Sequence, residues 1–158
     1  MQADLEAAIG ASICADYISG DKPGEHGITA LAMRDSDSQI LAGHVVDVKG
    51  AIAEHAIGQV FRDLRNMGHR ENLRVTMDQE SSVTDLFMAV AKERGHARTA
   101  LEHARCDSKG NGQAEKAVQP IEDIVRTVID LEQRCGEELP VHDLFPRLLE
   151  HACDLPNR

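Results

Sequence analysis

Tryptophan is absent from this chain of 158 residues, and aromatic residues make up only 3% of it. Ala, Val, Ile and Leu must therefore fill the core. Also missing is any apolar run near the roughly 20 residues that a membrane-spanning helix needs, and the opening MQADLEAAIG has neither the basic start nor the apolar stretch of a signal peptide. These absences predict no membrane partner and an intracellular protein. Cysteine is sparse: Cys14, Cys106, Cys135 and Cys153 are scattered without CxxC spacing, which predicts reduced, structural thiols. Positive charge is short as well, with 17 Lys and Arg against 27 Asp and Glu and a net charge of −10. Phosphate binding is driven largely by Lys and Arg releasing counterions, so this balance counts against nucleic acid as a partner. There is no internal repeat, low-complexity segment or linker. What is present is a globular balance of 42% hydrophobic and 28% charged residues, of a length that suits one domain with one sizeable core.

Periodicity then orders the elements. ASICADYISG alternates, with Ile13, Ala15 and Tyr17 on one face and Cys14, Asp16 and Ile18 on the other, which predicts a strand. GITALAMR and QILAGHVVDV predict two more, joined as a hairpin by the turn Asp35 to Ser38. Apolar residues at helical spacing predict a long helix from Ala51 to Met67, with Gly68 as its C-cap. NLRVTMDQ is a short strand. Ser82 and Asp85 have the spacing of a capping box for a helix that buries Val83, Leu86, Phe87 and Val90 and ends near Gly95. Met77 and Met88 are both expected in the core. ARTALEHAR is a fifth strand, the loop CDSKGNG leads into a long helix, and a last helix covers about Leu144 to Cys153 with Pro146 in its first turn. The order predicts an α/β domain, a mixed five-stranded sheet with helices on both faces.

Three acids stand out by position. Asp16 lies within an apolar strand, Asp78 follows the carboxyl end of another, where ligands gather in open α/β sheets, and Glu115 lies beside the apolar stripe of the long helix. Taken singly each has an ordinary reading: an ion pair with an arginine, an Asx turn, a carboxylate at the positive end of a helix dipole. Taken together they would repel, at about 4 kcal/mol per pair 4 Å apart with an effective dielectric near 20. Such a cluster calls for raised pKa values or bound cations. With no Cys or His at suitable spacing beside them, hard divalent ions with oxygen ligands suit it best.

These residues also carry a resemblance. ADY in the first strand, TMDQE after the first long helix and NGQAEK opening the later helix resemble the catalytic core of retroviral and retrotransposon integrases. In that family an Asp, Asp, Glu triad sits on a ribonuclease H-like fold. Between Asp78 and Glu115 lie 36 residues, close to the family's interval, and the closing LLEHACDLPNR resembles the end of the corresponding last helix. The resemblance covers about residues 11–157 of a single core domain, without the family's zinc-binding N-terminal module or basic C-terminal domain. It implies that Asp16, Asp78 and Glu115 hold two Mg2+ or Mn2+ ions for 3′-end processing and strand transfer in DNA integration. It further implies DNA contacts, with element ends and target DNA, through Lys109, Asn111, Gly112 and Lys116. A homodimer through the first long helix and the last helix, and a nuclear location, follow from the same source. Pro120, beyond the first turn of the glutamate helix, predicts a kink. Two rivals stay open: a catalytically inactive module that binds DNA or a protein, and a ribonuclease H-like nuclease.

Overall fold

The computed structural model describes residues 10–20, 28–46, 49–50, 54–95, 99–103, 119–124, 126–127, 130, 134, 136 and 141–154. Five strands form one sheet: β1 (Ala11–Gly20), β2 (Ile28–Asp35), β3 (Leu41–Val46), β4 (Leu73–Met77) and β5 (Thr99–His103). Their order across the sheet is β3-β2-β1-β4-β5. The first three run antiparallel as a meander, whereas β4 joins β1 in parallel and β5 joins β4 in parallel. Parallel neighbours need a crossover, and the helices supply it: α1 (Glu54–Asn66) carries the chain from β3 to β4, and α2 (Ser81–Glu93) from β4 to β5. A third helix, α3 (Val141–Asp154), closes the described chain, and 119–124 is helical too.

Alternation in the strands fills both faces of the sheet. Ile13, Ala15 and Tyr17 of β1, with Leu31 and Met33 of β2, pack against Val60, Leu64, Leu86 and Phe87 of α1 and α2. On the other face Ile18, Ala30, Ala32 and Leu41 meet Ile121, Phe145 and Leu149. Small residues let α3 approach closely there. At Gly43 a Cβ would lie 3.0 Å from Leu149 Cδ1 and 3.1 Å from Cys153 Sγ.

The helix ends match their sequence signals in part. Gly68 adopts φ +90°, its N–H donates to the Arg65 carbonyl and that of His69 to the Leu64 carbonyl, which is the Schellman pattern. Gly95 likewise takes φ +67° just past α2. Three expectations are corrected. The capping box of Ser82 and Asp85 is not formed: α2 starts at Ser81, Glu80 holds the N-cap position without a side-chain cap bond, and the Ser82 hydroxyl donates to the Glu80 carboxylate at 2.6 Å. Pro146 is not in a first turn, because α3 begins at Val141. The apolar stripe through Phe145 and Leu149 holds that helix across a proline whose ring removes one backbone donor. Met88 is 59% exposed, since it points about 140° around the helix from the buried stripe of Val83, Leu86, Phe87 and Val90.

Buried polar links tie the edges down. Asp35, 3% exposed, accepts from the Ser38 hydroxyl at 2.7 Å and the Asp37 amide at 3.1 Å, and the His69 ring stands 3.2 Å from it. The Arg94 guanidinium donates to the carbonyls of His69 (2.9 Å) and Glu71 (2.6 Å), fastening the end of α2 to the segment that enters β4.

Candidate cation site at the carboxyl ends of β1 and β4

Register places two of the three expected acids together. Ala15 pairs with Met77 across the parallel β1–β4 ladder, and both side chains are buried in the core. Asp16 follows on β1 and turns to the opposite face, and Asp78 is the first residue past β4, so the register sets the two acids next to one another where β4 ends. Each carboxylate holds the following backbone amide: the Tyr17 N–H donates to Asp16 Oδ1 and the Gln79 N–H to Asp78 Oδ1, both at 2.7 Å. Asp78 thus bonds the adjacent amide rather than the one two residues on, unlike an Asx turn. On β5, His103 Nδ1 lies 3.4 Å from the Asp78 carbonyl oxygen.

Asp16 is half-buried, Asp78 exposed. Burial pushes the Asp16 carboxyl up from its usual range; the Tyr17 amide draws it back, the charges of Asp78 and Glu80 raise it again, and Lys49 lowers it. A second set of contacts involves Tyr17, next to Asp16 in sequence, and Glu80, two residues past Asp78. Lys49 Nζ meets Glu80 Oε1 at 2.9 Å and stands 5.1 Å from the centre of the Tyr17 ring. The Tyr17 hydroxyl accepts the Gly50 N–H at 3.1 Å. Hydrogen bonds from Ser82 and Lys49 hold the Glu80 carboxyl below its usual range.

No family model and no curated protein sequence matches the chain. Solved structures do. The HTLV-2 integrase catalytic core domain, in complex with magnesium and in a dimeric form, superposes with a TM-score of 0.57 at 12% identity over 90% of this chain and 82% of that one. The catalytic core domain of BIV integrase gives 0.52 at 12% identity, over 90% and 80%. The simian T-cell lymphotropic virus intasome, solved with the PP2A regulatory subunit B56 gamma, gives 0.55 at 13% identity, over 90% of this chain but 46% of that one. The chain has the fold of a retroviral integrase catalytic core. It is the mixed five-stranded, ribonuclease H-like sheet that the sequence led us to expect.

In this integrase-like core Asp16 and Asp78 are adjacent, whereas Glu115, Asn111, Gly112, Lys109 and Lys116 lie outside the described residues. Pro120 is helical, and the residues just before Gln119 lie outside the described ones. Among the described residues no group of three or more His, Cys, Asp or Glu side chains is gathered closely enough to hold a metal ion. The donor set nonetheless suits a hard divalent cation: two oxygen-donor carboxylates, one half-buried, repelling one another. Sequence reasoning missed Lys49 and Glu80. The available signals were a lysine after the third strand, in VDVKG, and a glutamate two residues past Asp78, in MDQE. A cleft of about 380 Å³ between β3, α1 and α3 shares no residue with the acid pair. Its Cys153 is buried and pushed up to about 12, first by that burial and then by Asp154, Asp63 and Glu150, so the thiol is inert at neutral pH. Among the described residues no helix is long and apolar enough to cross a membrane.

Proposed function

We propose that this chain is the catalytic core of an Asp-Asp-Glu polynucleotidyl transferase that processes DNA 3′ ends and joins them to target DNA. The observation that carries the reading is the pairing of Asp16 with Asp78 at neighbouring strand ends within an integrase-core fold. Asp16, Asp78 and Glu115 would hold two magnesium or manganese ions. When bound, such ions polarise the attacking oxygen and neutralise charge on the leaving oxygen of a phosphodiester.

The chain's own residues do the rest. β1 and β4 fix the two aspartates on one rigid ladder, and the backbone amides of Tyr17 and Gln79 orient one oxygen of each. Asn111 and Gly112, with Lys109 and Lys116, would contact DNA beside the glutamate. Two copies would associate through α1 and α3. A strand-transfer assay with short duplexes in manganese tests this: wild type joins strands, Glu115→Gln does not, and free ends without joined products would make the chain a nuclease instead.

One observation favours a second reading. The net charge of −10 suits a retained fold that binds a protein surface, with its acids no longer catalytic. Magnesium or manganese separates the two, since only a working core gains thermal stability from them.

A further inference from the structure

The ladder between β1 and β4 stops at Ala15 and Met77, yet β1 runs on to Gly20. From Asp16 onward β2 is its only strand neighbour among the described residues. The first acid therefore stands where the backbone loses its pairing on one edge. What holds the overhang is the side chain of the next residue. Tyr17 is buried, and its hydroxyl accepts the Gly50 N–H at 3.1 Å. Gly50 adopts φ +97°, which a residue with a Cβ takes up only under strain. The backbone of the same tyrosine holds the acid, since its N–H donates to Asp16 Oδ1 at 2.7 Å. Lys49 covers the ring from 5.1 Å and reaches Glu80 Oε1 at 2.9 Å, just ahead of α2. Side-chain contacts thus run from the β1 overhang to the junction of β4 and α2, beyond the point where strand pairing ends.

We propose that Tyr17 is a positioning residue for the acid pair: its hydroxyl, bonded to Gly50, pins the end of β1 so that its amide keeps Asp16 Oδ1 in one orientation. This rests on the reading of Asp16 and Asp78 as a cation site. The tyrosine side chain points into the core, on the face of the sheet away from Asp16, so it acts through its own backbone. A carboxylate on an unpinned strand end samples more conformations, and freezing them on binding costs affinity. The loss is bounded by the worth of one hydrogen bond. Breaking the link between Tyr17 and Gly50 should therefore weaken cation binding about three- to tenfold without abolishing it.

The test is calorimetric titration of the whole chain with manganese chloride, for wild type, Tyr17→Phe, Gly50→Ala, Gly43→Val and Asp78→Asn. Tyr17→Phe keeps the ring in the core and loses only the acceptor. Gly50→Ala reaches the same bond from its donor side; the added methyl has room, with the nearest atom, the Ser82 carbonyl oxygen, at 3.7 Å, so only the backbone is disturbed. Each should weaken manganese binding about three- to tenfold. Gly43→Val strains the seat of α3 instead, so it should bind manganese as wild type does. In the metal-free chain, hydrogen exchange at the Tyr17 amide should quicken in Tyr17→Phe, while the amides of Ile13 to Ala15 keep their wild-type rates. Wild-type affinity in Tyr17→Phe or Gly50→Ala, an equal loss in Gly43→Val, or unchanged exchange at the Tyr17 amide overturns the proposal. The acid-pair reading survives that result so long as Asp78→Asn loses binding. Should Asp78→Asn bind as wild type does, or wild type bind nothing, the acid-pair reading fails and the Tyr17 proposal falls with it.

Discussion

At Asp16 folding and the proposed function pull in opposite directions. Its carboxylate is half-buried next to a like charge, and burial with that repulsion raises its pKa. Replacing it with asparagine should therefore stabilise the cation-free protein, raising Tm by about 2–5 °C, while removing most of the gain that manganese confers. Asp78→Asn, at the exposed member of the pair, should likewise lose the manganese-dependent gain and lower strand transfer by about a hundredfold or more, in line with the cost of removing a group that stabilises the transition state. Differential scanning with and without the ion checks the first, and product yield on labelled duplexes the second. Asp35 is the opposite case, a buried acid that supports the fold. Burial alone would raise its pKa, but the bonds from Ser38 and Asp37 and the nearby His69 outweigh it and hold it below the usual carboxylate range. A depressed folded pKa means its contribution is complete above the unfolded value and disappears as pH falls through the folded one. Asp35→Ala should cost roughly 3 kcal/mol at pH 7, measured by urea unfolding, and that difference should shrink below about pH 4 as the carboxyl protonates.

The elements show where sequence patterns suffice and where they fail. Strand alternation in β1 assigned side chains to the correct faces, because a period of two is a property of the backbone itself. Gly68 was legible as a C-cap for a similar reason: only a residue tolerant of positive φ serves there. Ser82 misled because its hydroxyl had a choice of acceptor, and the Glu80 carboxylate, already anchored by Lys49, outcompeted the helix amides. Pro146 misled because a helix start can move a turn upstream when the stripe below it is strong enough. Neither outcome is written locally. The close seat of α3 on β3 yields a prediction at this scale. Gly43→Val would drive new methyl groups into Leu149 and Cys153, so it should destabilise the protein by about 1–3 kcal/mol and loosen α3 first, visible as faster amide exchange in 141–154 than in α1.

For the whole molecule, the mixed sheet and its two covered faces were legible from the order of elements, and two of three acids were matched to one edge. The ion pair of Lys49 and Glu80 was not, since its members come from a segment after β3 and a helix start that only the fold juxtaposes. The acidic balance carries its own prediction. With a net charge of −10, affinity for duplex DNA should be weak in chelator and rise at least severalfold when manganese is added, as read by fluorescence anisotropy at fixed ionic strength. Sizing at high concentration should give a dimer through α1 and α3, and a strict monomer would remove that part of the proposed assembly.

The parallel ladder between β1 and β4 also sets an order of events during folding. The hairpin of β1 and β2 can zip early from local sequence, but β4 must wait until α1 has wrapped back over the meander. Until then the two aspartates belong to unconnected parts of the polypeptide. On the proposed function, a molecule arrested before that docking step would be blind to manganese, so uptake of the ion by a refolding chain should lag behind the first burst of strand signal and serve as a clock for completion of the sheet.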